Sequence, residues 1–177
     1  MKKSIGNFQI DCTLLRLISL TVMLALIMPL MTSAQGDKVN LAGTWALNEA
    51  KSNLGEGGQR FGGGNFVAAQ EANLLTVVRT RTNQDGETTT TTSKYTLDGK
   101  ESINTSTRGE SKSVATWSAD GKILTIVTSR TFDMNGESRT MKSTEIWALT
   151  DAKTLSVQSS YTTRDGERKS TRVYDKK

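Results

Sequence analysis

From Leu74 to the end of the chain, apolar and polar side chains alternate with a period of two. Leu124, Ile126 and Phe132 fall on one face, as do Trp147 and Leu149, and Leu155, Val157 and Tyr161. Nearer the start, Leu41, Gly43, Trp45 and Leu47 do the same. A period of two describes β-strands with one apolar and one wet face. Between these runs stand Asp85-Gly86, Asp98-Gly99, Asp120-Gly121, Asn135-Gly136 and Asp165-Gly166. Such pairs tolerate the positive φ angles of hairpin turns. Arg108-Gly109-Glu110 and the run 150–153 are weaker turns of the same kind. The pattern predicts strands near 41–48, 65–71, 74–82, 87–97, 101–107, 112–119, 122–132, 137–149, 154–163 and 167–175, with 65–71 the ambiguous one. No helix-length apolar period separates them. The fold class expected is all-β: a single antiparallel up-and-down β-barrel of 8–10 strands. A flat meander would expose long edges that closure removes. A two-sheet sandwich is the alternative.

Residues 1–34 have a different character. Lys2 and Lys3 precede a largely apolar run, Leu14 to Met31, interrupted by Arg16, and Thr32-Ser33-Ala34 follows. A basic start, a short apolar stretch and small residues at its end describe a signal peptide cleaved on export. An uncleaved anchor is the alternative, but the run is short for a membrane-spanning helix. The expectation is an exported protein, periplasmic or secreted, with one domain over 35–177 and a Gly-rich loop at 55–64 that packs no core of its own.

Composition narrows the chemistry. The chain has no histidine, its one cysteine is Cys12 and its one proline is Pro29, so residues 35–177 lack all three. That excludes His-based triads, His-held zinc or haem, thiolate sites and disulfides from the barrel. Residues 1–34 hold three of the 23 basic and one of the 18 acidic residues, leaving 20 and 17, a net charge of +3. This is an ordinary surface charge, with no Lys/Arg cluster pointing to nucleic acid. No acidic group has calcium-loop spacing. Thr88–Thr92 reads as a β-branched strand with a hydrated face. Asn104-Thr105-Ser106 matches a glycosylation pattern, discounted because the leader looks bacterial.

Leu41-Ala42-Gly43-Thr44-Trp45-Ala46-Leu47 places a Gly-x-Trp on the first strand, and basic residues stand on the last. In this arrangement the chain resembles the lipocalin/calycin superfamily. The longer run through Asn48 and Ala50-Lys51-Ser52-Asn53-Leu54-Gly55, with Tyr95-Thr96-Leu97-Asp98-Gly99-Lys100-Glu101 and Trp147-Ala148-Leu149, is similar to small exported bacterial lipocalin-like proteins of unknown role. The resemblance implies that Gly43 allows a close backbone approach, that Trp45 plugs one end of the barrel, and that Arg172, or else Arg168, lies over the indole.

A barrel of this size holds one modest ligand or is filled by side chains. Tyr95, Trp117, Phe132, Trp147 and Tyr161 are the candidate aromatic lining. Arg79, Arg81, Arg130, Arg139 and Glu145 share strand faces with apolar residues. Arg130 is placed in the candidate lining, and any one of these arginines that points inward is a candidate partner for a ligand carboxylate; strands shifted by bulges would instead leave them in water. The expected function is a non-catalytic, exported lipocalin-like binding protein holding a small, partly apolar ligand. The alternative is a filled barrel acting through its loops on a protein partner. An isomerase or hydrolase using carboxylate and tyrosine is a remote third reading. No cofactor, metal, nucleic acid or membrane span of the mature protein is implied.

Overall fold

The structure, a computed structural model, describes residues 37–55, 64–82, 86–106, 109–134, 137–163 and 166–177. The leader expected at 1–34 and most of the Gly-rich loop lie outside the described residues. Ten strands form one antiparallel sheet: β1 (Gly43–Leu47), β2 (Phe66–Glu71), β3 (Leu74–Thr82), β4 (Thr88–Thr96), β5 (Glu101–Ser106), β6 (Gly109–Trp117), β7 (Ile123–Met134), β8 (Glu137–Asp151), β9 (Thr154–Thr163) and β10 (Gly166–Lys176). A single 3-10 turn, Glu49–Lys51, follows β1. Among the described residues no helix is long and apolar enough to cross a membrane. The ambiguous 65–71 segment is a strand, so the strand count reaches the top of the expected range.

The order across the sheet is β4-β3-β2-β1-β10-β9-β8-β7-β6-β5. The chain therefore closes where its first strand meets its last, with Trp45 opposite Lys176 and Leu47 opposite Tyr174. The two sheet edges, β4 and β5, share no backbone ladder, and side chains join them instead. The Asn104 amide accepts the Lys94 N–H at 2.7 Å and donates to the Lys94 carbonyl at 3.0 Å. Ser102 Oγ accepts the Thr96 N–H at 2.8 Å. Asn104 thus spends its side chain on the seam, which gives the candidate glycosylation asparagine a structural role.

The run after β1 is a second fastening. Asn48 Nδ2 donates to Asp175 Oδ2 at 2.6 Å, Ser52 Oγ accepts the Val173 N–H at 2.9 Å, and Asn53 bridges Thr171. Gly55, at φ 61°, lies so close to β10 that a Cβ there would sit 2.6 Å from the Lys169 carbonyl oxygen. The Asn48–Gly55 run therefore lays the chain along the last strand.

Inside, the long strands change character along their length. On β7 the inward series runs Leu124, Ile126, Thr128, Arg130; on β9 it runs Leu155, Val157, Ser159, Tyr161; on β6, read from its end, Trp117, Ala115, Ser113, Ser111. The apolar members pack with Leu41, Trp45, Phe66, Leu75, Val77 and Trp147 into one buried core. That core fills the end of the barrel where the 98–99, 120–121 and 151–153 turns lie. At these turns Asp98, Asp120 and Asp151 each accept the N–H of the lysine two residues on, at 3.1, 3.1 and 2.7 Å. This self-contained Asx geometry is what Asp favours at a tight turn. The opposite half of the interior mixes arginine and serine side chains with Phe132, Met141 and Tyr161.

Candidate functional site

The closed end is built around Trp45. Its ring is fully buried, its Nε1 donates to the Leu41 carbonyl at 3.0 Å, and it stacks on Phe66 with centroids 6.5 Å apart. Phe66 is the hub of the cluster, 5.4 Å from Trp147 and 4.9 Å from Tyr174 between centroids. The basic group over Trp45 is Lys176, its Nζ 5.4 Å from the ring centroid. Arg172, the residue expected there, lies four residues further up β10, opposite Val157, and faces the interior space beyond the core. Gly43 also serves differently from expectation. It is the lysine stem, not a backbone, that approaches it: a Cβ on Gly43 would meet Lys176 Cε at 2.4 Å.

A charged strut lies between the core and the mixed half. Arg79 on β3 and Glu145 on β8 stand on opposite sides of the barrel and meet at 3.6 Å. Glu145 also accepts from Trp147 Nε1 at 3.0 Å. The Arg79 guanidinium sits 5.6 Å from the Phe66 ring centroid and 5.7 Å from that of Trp147. Burial pulls the Arg79 pKa down, but the Glu145 charge and the Tyr95 hydroxyl pull it up further, and the net value lies above the ordinary one. Arg79 stays a cation. Burial raises the Tyr174 pKa, against the pull of Arg79 and Arg172, so its hydroxyl stays protonated.

Beyond the strut is a cavity of about 580 Å³, within the usual range of roughly 300–1,000 Å³ for small-molecule sites. Its apolar wall is Phe132, Met141 and Tyr161. Its polar wall includes Ser143, Ser159 and Ser170, with Glu145 at the strut. Three guanidinium groups reach it from separate strands: Arg81 of β3, Arg130 of β7 and Arg172 of β10. Arg172 is 6% exposed, and its Nη1 donates to Ser159 Oγ at 3.1 Å. The Nε atoms of Arg172 and Arg130 are buried with no hydrogen-bond partner among the described residues.

The candidate lining therefore divides. Arg130, Phe132 and Tyr161 are in the cavity wall, whereas Tyr95, Trp117 and Trp147 are in the core, 7%, 8% and 0% exposed. Trp147 touches the cavity floor only through its bond to Glu145. Arg81 and Glu145, expected on strand faces shared with apolar residues, are in the wall as well, whereas Arg172, Ser143 and Ser159 are wall residues outside the expected lining. The signal for them was parity along each strand; what parity does not reveal is the height at which each strand leaves the core. Arg139 pairs with Glu137 at 3.0 Å near the strand end and does not line the cavity.

No family model matches this chain, and no curated protein matches it. Among solved structures it is similar to the zebrafish ileal bile acid-binding protein crystallised with cholic acid, at 17% identity and a TM-score of 0.53, covering 77% of this chain and 98% of that one. A likeness at this identity is one of fold. Together with the ten-strand antiparallel wall closed between β1 and β10, it shows that the chain shares the antiparallel β-barrel fold of that protein.

Proposed function

We propose that this protein is a non-catalytic carrier or receptor for a small amphipathic acid, held in the mixed half of the barrel with its acidic end inward. The observation that carries this reading is Arg172, nine-tenths buried beside a cavity with part of its guanidinium unpaired. A buried cation is costly unless an anion and hydrogen bonds satisfy it, and the guanidinium fork matches an oxyanion. Phe132 and Met141 offer apolar contact for the rest of such a molecule. The similar zebrafish protein was crystallised with an amphipathic acid, which supports the same chemical class. The cavity's volume weighs against a filled barrel that works through its loops. The basic start and apolar run before Ala34 support export to the periplasm or the medium, where a carrier of this kind meets its ligand.

Isothermal titration of the purified protein with cholate and with medium-chain fatty acids tests the reading. Binding that weakens about tenfold or more in Arg172→Gln is the expected result. Absence of heat or thermal shift with every acid would overturn it. Mass spectrometry of protein recovered from outside the cytoplasm, with a mature start at Gln35, is the expected outcome for export.

A further inference from the structure

The charges around the cavity do not balance for a ligand with a single negative charge. Glu145 is the one carboxylate of its described wall, and it already has two partners, Arg79 at 3.6 Å and Trp147 Nε1 at 3.0 Å. It is therefore committed to the strut. Arg130 and Arg172 remain, each with a buried Nε that no described group satisfies. They stand on β7 and β10, three strands apart in the sheet, and so approach the same space from different parts of the wall. Ser143 of β8 and Ser159 of β9 lie on the two strands between, and their hydroxyls line the same space. A carboxylate has two oxygens and one charge, which suit one guanidinium fork and leave the other, buried Arg172 or half-buried Arg130 with its enclosed Nε, without a counter-charge. A phosphate monoester has three terminal oxygens and, at neutral pH, a charge of about −1.5 to −2. That suits two forks and the intervening hydroxyls.

Building on the acid-binding reading above, we infer that the cavity selects amphiphiles whose head is a doubly charged oxyanion of the phosphate-monoester class, held jointly by Arg130 and Arg172. Arg81 adds a third guanidinium to the same wall.

Titration calorimetry with octyl phosphate, octyl sulfate and octanoate, each below its micelle concentration, separates head charge from head shape and from the shared tail. At pH 7.5 octyl phosphate is expected to bind about tenfold tighter than either of the others. Near pH 5, where a phosphate monoester carries a single charge, that advantage is expected to shrink below about threefold. Arg130→Gln, checked for an unchanged fold by its circular dichroism, is expected to weaken octyl phosphate about tenfold and octanoate less than threefold. Arg130→Lys keeps the charge without the fork and is expected to fall between. Equal affinities for the three amphiphiles, or an Arg130→Gln loss that is the same for all of them, would sink the dianion inference and leave acid binding standing. Failure of all three and of cholate to bind would remove both.

Discussion

Lys176 and Trp45 face each other in the β1–β10 ladder, and the lysine ammonium lies 5.4 Å from the indole centroid. Gly43 makes this possible, because a Cβ at that position would occupy the space of the lysine stem, 2.4 Å from Cε, and its φ of 151° disfavours any other residue. Gly43→Ala is expected to destabilise the protein by about 1–3 kcal/mol, as read by urea unfolding. Part of that cost is displacement of Lys176, so Gly43→Ala combined with Lys176→Ala is expected to cost less than the sum of the two. Strict additivity would show that the lysine and the glycine are unrelated.

The seam between β4 and β5 rests on Asn104, whose amide satisfies both the N–H and the carbonyl of Lys94. Asn104→Ala removes two hydrogen bonds, and a loss of about 1–2 kcal/mol is expected. Hydrogen exchange localises the effect: the Lys94 amide proton is expected to lose protection more than those of β7 and β8, which sit in full ladders. Uniform loss across the barrel would contradict a seam held at this point.

Glu145 balances Arg79 in the middle of the barrel. Glu145→Gln leaves the guanidinium between Phe66 and Trp147 without its counter-charge, and a loss of roughly 1–3 kcal/mol is expected because both side chains are only about a quarter exposed. Replacing the pair together, Arg79→Met with Glu145→Leu, is expected to recover most of this stability. A double variant as unstable as the single one would mean that the strut acts through shape instead of charge.

Acid sensitivity is expected at the closed-end turns. Asp98 has its pKa lowered from 3.8 to about 2 by hydrogen bonds from the Lys100 side chain and N–H, and Asp120 and Asp151 are lowered by similar turn hydrogen bonds. A carboxyl with a depressed folded-state pKa contributes stability that is complete above about pH 4 and disappears as the pH falls toward 2. Asp98→Asn keeps the turn's acceptor oxygen but not the charge. It is expected to be less stable than the native protein at pH 6, with the difference closing between pH 4 and pH 2. A gap of constant size across that range would point to a cause other than the carboxylate.

Much of the wall was legible from local pattern. The 74–82 and 154–163 strands match to the residue, because alternation and flanking turns are properties of neighbouring positions. Trp45 was expected as a plug from the resemblance that its Gly-x-Trp carries, a motif short enough to be recognised within one strand. Phe66 was not: it lies in the one ambiguous segment, and its role as hub depends on Trp147 and Tyr174, both remote in sequence. The same holds for Arg79 and Glu145. Their parity put each on an apolar face, but that they meet across the interior follows from the circular order of the strands.

The choice between Arg172 and Lys176 shows where local reading ends. Residues 172, 174 and 176 share one parity, so all three alternate to the same side of β10, and nothing in their own surroundings says which faces Trp45. That is fixed by the β1–β10 register, a pairing of strands more than a hundred residues apart. What the sequence determined unaided was an antiparallel succession of strands with one apolar face each, since backbone turns and side-chain alternation are set within a few residues. What only the tertiary structure decided was where the wall closes and at what height each strand leaves the core, because core packing and ladder register couple positions across the whole chain. Those two quantities place Arg130 and Arg172 in one cavity and Lys176 over the plug.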